Sequence, residues 1–125
     1  MPRTEIYLYR TKKRSIPLRD WLDDLPAKVH DKCIERIEEL ERLGYRLRRP
    51  KADYLRDKIY ELRVKRQNVN YRMLYFYHGK GVAILCHGLT KEKEVPEKEI
   101  ELAIRRMNDV VHDPTTHAVA FGEEQ

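Results

Sequence analysis

Three alternating apolar runs follow one another almost without a break, at residues 59–66, 69–77 and 82–89. A period of two marks a strand with one wet and one dry face. The connections are short. Gln67-Asn68 joins the first pair, and His78-Gly79-Lys80-Gly81 joins the second, with two glycines where a hairpin commonly demands positive φ. The runs therefore predict an antiparallel meander against which the rest of the chain must pack. In the first strand Tyr60, Leu62 and Val64 share one face and Glu61, Arg63 and Lys65 the other, so functional side chains are to be sought on that second face.

Upstream, Glu-Ile-Tyr-Leu-Tyr-Arg at 5–10 favours a first strand and leads into the basic cluster Lys12, Lys13 and Arg14. Leu18, Trp21, Leu22 and Leu25 then recur at helical spacing, with Ser15 as a cap and Pro17 tolerated in the first turn. Pro26 opens a second helix and Gly44 closes it, and its stripe is Val29, Cys33, Ile37 and Leu40. Glu35, Glu38, Glu39 and Arg42 form the solvated side of that helix. A polar connector runs from Tyr45 to about Leu55. Past the meander, Pro96 starts a last helix with the stripe Ile100, Ala103, Ile104, Met107 and Val111, which Asp113-Pro114 ends. The order is β-α-α-β-β-β-α in one α+β domain, mainly an antiparallel sheet with a helical hairpin and a C-terminal helix. That domain spans residues 1–113, and 114–125, which has no apolar period, is expected to be a flexible or loosely docked tail.

Charge narrows the function. Lys and Arg number 26 against 21 Asp and Glu, giving +5, a balance that suits a polyanionic partner such as nucleic acid as well as a merely well-solvated surface. Cys33 and Cys86 stand apart, without metal-ligand spacing or a secretory leader, so an intracellular, cytoplasmic chain with buried thiols is expected. Apolar stretches are only a few residues long, which excludes a membrane-spanning helix. P-loop, dinucleotide-binding, zincin and serine-nucleophile motifs are all missing, and neither metal nor cofactor is expected.

Leu55-Arg56-Asp57-Lys58-Ile59-Tyr60-Glu61-Leu62-Arg63, then Tyr71-Arg72-Met73-Leu74-Tyr75-Phe76, then His87-Gly88-Leu89-Thr90-Lys91 resembles the RelE/ParE toxin superfamily, particularly its phage-derived HigB-like branch. The ordered match covers about half the chain and shares the element order above. It departs at Lys58, where many relatives carry glycine, and at Glu92, where a second consecutive lysine is common. The resemblance implies a RelE-like fold and the toxin of a type II toxin–antitoxin system. Such a toxin joins the ribosome, cuts messenger RNA without a metal, and is silenced by a cognate antitoxin, here a helix-turn-helix HigA-like protein. ParE-like members share the scaffold and poison DNA gyrase, so a non-enzymatic toxin is the alternative, and a domesticated RNA- or protein-binding relative is a third reading.

Metal-free RNA cleavage needs a base for the 2′-hydroxyl proton, a cation for the crowded phosphate and an acid for the departing 5′-oxygen. The candidates are Arg63, Arg72, Tyr75, His87 and Lys91. A guanidinium stays charged and presents a fork of donors matched to phosphate, although Arg63 beside Glu61, or Arg72 near an acidic helix, also reads as a structural ion pair. His87 titrates in the right range, and Gly88 after it permits close approach, although a strand-end histidine is commonly a packed one. Tyr75 can stack on a base, but alternation sets it on the face opposite Arg72, and tyrosines 71, 75 and 77 read equally as packing. Lys91 and Lys93 alternate with Glu92 and Glu94. Lys12, Lys13, Arg14, Arg46, Arg48, Arg49, Lys51, Lys65 and Lys93 make up the expected RNA-binding set. The nuclease reading requires the cations to gather on one concave surface.

Overall fold

The structure, a computed structural model, describes residues 3–90 and 93–123. Strand β1 (Glu5–Tyr9) leads into helices α1 (Pro17–Asp23) and α2 (Ala27–Leu43), and a 3-10 turn at Gly44–Arg46 follows. Strands β2 (Ala52–Arg56), β3 (Ile59–Arg66), β4 (Val69–Tyr77) and β5 (Val82–Thr90) precede α3 (Glu97–His112), a single turn α4 (Pro114–His117), and β6 (Ala118–Ala120). All strands join one sheet in the order β2-β3-β4-β5-β1-β6, in which only the β1–β5 pairing is parallel. This is the RelE-like α+β fold expected from the sequence.

Two turns lock the meander. Gln67 and Asn68 take φ of +50° and +65°, the paired left-handed conformation that matches a two-residue hairpin to strand twist. Gly79 and Gly81 likewise sit at positive φ. Because neighbours along a strand face opposite ways, the sheet separates two apolar layers. Leu62, Val64, Met73, Tyr75 and Leu85 meet Leu18 and Leu22 of α1 and Val29, Cys33, Ile37 and Leu40 of α2. On the other face Ile59, Leu74, Phe76, Ile84 and Cys86 meet Ile100, Ala103 and Val110 of α3. Both cysteines are free and buried, as expected.

Several expectations need correction. Ser15 does not cap α1; Ile16 holds that position, and Ser15 instead bonds back to Thr11 across a tight turn. Helix α1 ends at Asp23, so Leu25 packs from outside it. On α3 the buried valine is Val110, whereas Val111 is exposed. The connector contains the edge strand β2, paired to β3. The loose-tail expectation fails for residues 114–120. Asp113 accepts bonds from the Thr116 amide and hydroxyl and so caps α4, whose first residue is Pro114. Strand β6 then pairs antiparallel with β1, and the Arg10 guanidinium donates to the carbonyls of Thr115 and Thr116. Three residues are too few to show a period. Gly88 also differs from expectation. A Cβ there would lie 2.1 Å from the Trp21 ring, so the space that glycine opens is filled by the indole of α1.

Candidate functional site

Cross-strand register builds a polar cluster on the α3 side of the sheet. Arg63 lies opposite Arg72, and Asp53 of β2 lies opposite Glu61. Directly opposed residues share a face, and so do residues two apart, hence all four side chains converge. Glu61 is 2% exposed, and its Oε1 accepts from Arg72 at 2.9 Å and lies 3.4 Å from Arg63 Nε. Asp53 Oδ2 accepts from Arg63 at 3.1 Å and from Arg49 at 2.9 Å. Three guanidiniums thus alternate with two carboxylates. Arg72 is 8% exposed, while the Arg63 side chain keeps 30% of its surface open. The Nε groups of both are buried without a hydrogen-bond partner.

The cluster lines a cleft of about 410 Å³, closed on its far side by Glu94, Val95, Glu97 and Ile100. Arg56 crosses its mouth, bonded to Asp57 and Glu97. Carboxylates therefore balance the cations, and the cleft is a zwitterionic lattice rather than a basic trough. The expectation of a single cationic surface is corrected here. Arg63 and Arg72 do come together, and they neutralise carboxylates of their own chain.

The other candidates fall elsewhere. Tyr75 is buried on the opposite face beside Tyr60 and Tyr77, and burial followed by the neighbouring Tyr77 pushes its hydroxyl well above the ordinary range. It shares no surface with Arg72. His87 is on the α3 face but only 5% exposed, with Nε2 3.2 Å from Glu99 Oε1 and Nδ1 buried without a partner. Burial first and Arg106 second lower its pKa to about 4, against the opposing pull of Glu99. At neutral pH the ring is uncharged and enclosed against Glu99. Lys91 lies outside the described residues.

The expected RNA-binding residues divide into groups. Lys12, Lys13 and Arg14 are exposed on the turn after β1, which runs parallel to β5 and so ends at the same side of the sheet as Thr90. Lys65 is exposed two residues beyond Arg63 on the same face, and Lys93 is exposed before α3. Arg46, Arg48, Arg49 and Lys51 are exposed on the segment between α2 and β2, where Lys51 pairs with Glu39 and Arg49 with Asp53. Asp53 escaped the sequence reading, and Glu61 entered it only as a structural partner of Arg63. The spacing of two from Arg63 placed Glu61 beside it, but not against Arg72 as well; Asp53 sat in what read as a connector.

Among the described residues no three His, Cys, Asp or Glu side chains are placed to share a metal ion, and no helix is long and apolar enough to cross a membrane. A six-stranded, mostly antiparallel sheet with a helical hairpin on one face and an arginine–carboxylate cleft beside the C-terminal helix defines a protein of the RelE-like class. A family model described as phage derived protein Gp49-like matches residues 20–108, more than two thirds of the chain. The chain belongs to this phage-derived Gp49-like family, a RelE/HigB-like toxin family. No curated protein sequence matches it.

Proposed function

We propose that this chain is the toxin of a type II toxin–antitoxin pair, held silent in the cytoplasm by a helix-turn-helix antitoxin, and that it stops translation by cutting messenger RNA on the ribosome. Family membership supports the toxin reading. The observation that carries the nuclease reading is the paired but exchangeable state of Arg63. It is partly open at the cleft mouth, its Nε lies 3.4 Å from Glu61 without making a hydrogen bond, and its Nη2 rests on Asp53, a carboxylate that a phosphate can replace.

In this reading a phosphodiester takes the place of Asp53 and Glu61 on Arg63, while Arg72 holds the pentacoordinate phosphate from behind. Glu61, released from Arg63, accepts the 2′-hydroxyl proton. The 2′-oxygen attacks phosphorus, the bond to the 5′-oxygen breaks, and the leaving oxygen takes a proton from an ammonium, for which Lys91 is the candidate. The products are a 2′,3′-cyclic phosphate, which water then opens to a 3′ phosphate, and a 5′-hydroxyl. His87 positions α3 through Glu99 and takes no part in proton transfer, and Tyr75 is structural.

The internal neutralisation of both arginines also favours a second reading, a ParE-like toxin that binds gyrase without chemistry. Primer-extension mapping of transcripts after pulsed expression separates the two. Breaks in frame within translated regions, lost in folded Arg63→Ala, are expected; intact transcripts accompanied by early DNA breakage refute the nuclease and favour gyrase.

A further inference from the structure

On the opposite face from the arginine cleft, beyond the end of the helical hairpin, five tyrosines gather on four separate segments. Tyr45 follows α2, Tyr54 is on β2, Tyr60 on β3, and Tyr75 and Tyr77 on β4. Tyr60 and Tyr77 meet edge to face at 5.3 Å, and Tyr75 lies beneath them. Tyr45 stacks on Tyr77 at 3.9 Å, and Tyr54 meets Tyr60 at 5.0 Å. Core packing accounts for Tyr75. It does not account for Tyr45 and Tyr54, which are 62% and 52% exposed and, with Val111, are large hydrophobic side chains left to solvent among the described residues.

The rings border a groove of about 480 Å³ with Lys58 and Gly79 at its rim, and a second hollow of about 630 Å³ continues it past Arg48. Lys58 and Arg48 are exposed, and neither has an ion-pair partner among the described residues. Tyr54 is fixed in orientation, because its hydroxyl accepts from the Lys58 backbone amide at 3.1 Å. Lys58 itself sits at φ +74°, a conformation that suits glycine, so a strained residue carries the ammonium at the rim.

Charge decides among ligands for an aromatic groove. A quaternary ammonium or a basic peptide is repelled by Lys58 and Arg48, and Asp53, the one carboxylate at the border, is already held by Arg49 and Arg63. An aromatic ligand carrying negative charge satisfies both the rings and the rim. Tyr54 and Asp53 also line the arginine cleft, so one strand crossing the β2 edge reaches both places. We propose that the Tyr45–Tyr54 groove is a stacking site for an unpaired nucleobase of single-stranded RNA, with Lys58 and Arg48 on the adjoining phosphates. The choice of RNA rests on the reading of the chain as an RNA-directed toxin. The stacking step is independent of cleavage.

The test is fluorescence anisotropy with a short labelled 2′-O-methyl oligonucleotide, which cannot be cut because its nucleophile is blocked. Tyr45→Ala/Tyr54→Ala is expected to weaken binding by about 5- to 150-fold, the range of base–aromatic stacking, while Tyr45→Phe/Tyr54→Phe retains it. An abasic version of the probe should bind the parent weakly and lose little further in the alanine variant. Both tyrosines are more than half exposed, so folded variants with only a small drop in melting temperature are expected across the set. If the alanine variant binds like the parent while Arg63→Ala weakens binding, the groove is overturned and the nuclease reading stands. Equal binding of abasic and complete probes, or no binding by the parent, also overturns the groove and points to a protein partner there. In-frame transcript breaks then decide the nuclease reading separately.

Discussion

Replacing Glu61 with leucine removes the only carboxylate bonded to Arg72 among the described residues, at nearly constant volume. Arg63 keeps Asp53, so the burden falls on Arg72, a guanidinium 8% exposed and left facing an apolar side chain. Breaking a buried pair from one side typically costs about 3–5 kcal/mol, because the surviving charge stays desolvated without compensation. Melting entropy for a domain of this length puts each kcal/mol at roughly 4 °C, so Glu61→Leu should melt about 12–20 °C below the parent. Glu61→Leu/Arg72→Met removes the orphan, since an apolar pair of similar size commonly matches or exceeds the ionic one, and should recover to within about 1 kcal/mol of the parent. Calorimetry on the parent, the single and the double variant reads both numbers. A single variant melting within about 4 °C of the parent, or a double no better than the single, refutes the idea that Glu61 is the partner that makes buried Arg72 tolerable. The same result bears on function, because lost toxicity in Arg72→Ala is interpretable only beside its melting temperature.

Four further outcomes follow from the geometry. His87 has a folded pKa of about 4 against an ordinary 6.5, so between those values the unfolded chain binds a proton that the folded chain refuses; stability is complete above 6.5 and falls as pH drops toward 4, and His87→Asn should flatten that part of the difference in a pH series of melts. Gly88→Ala drives a methyl into the Trp21 ring and should destabilise by about 1–3 kcal/mol in denaturant titration, with Trp21→Ala in the same chain relieving the clash. Deleting 114–125 uncovers the free edge of β1 and removes the half-buried Val119 and Phe121 from the core they cover, with a loss of about 2 kcal/mol and faster amide exchange at Leu8 and Arg10; unchanged exchange refutes the pairing. Lys58→Gly relieves a left-handed residue and should leave the melting temperature equal or higher while loosening the oligonucleotide probe.

Much of the architecture was readable because its signals were long. Eight or nine alternating residues define β3, β4 and β5, and four stripe residues define α2, so tertiary packing had nothing to override. Strand β2 was missed because Pro50 precedes it and Ala-Asp-Tyr-Leu-Arg is short and mixed; an edge strand is chosen by its partner, not by its own pattern. Strand β6 is three small residues whose place is set by Arg10, Tyr9 and the Asp113 cap. For the candidate site, residue types and faces were legible, with Arg63 and Arg72 together and Tyr75 apart. What sequence could not supply was distance. Arg63 opposite Arg72 places two like charges side by side, a repulsive pairing unless acids sit between them, and Glu61 was already present two positions from Arg63.

Strand β1 is synthesised before the other strands of the sheet, yet it lies between β5 and β6. Ile6 and Leu8 find their parallel neighbours at Ala83 and Leu85, and Leu8 finds its other neighbour at Val119, near the far end of the chain. Local hairpins can zip as they emerge, but this strand stays unpaired until the residues of β5 and then β6 have been translated. A product ending before Ala83 leaves β1 with both edges bare, and the sheet closes only once residues 118–120 have been made.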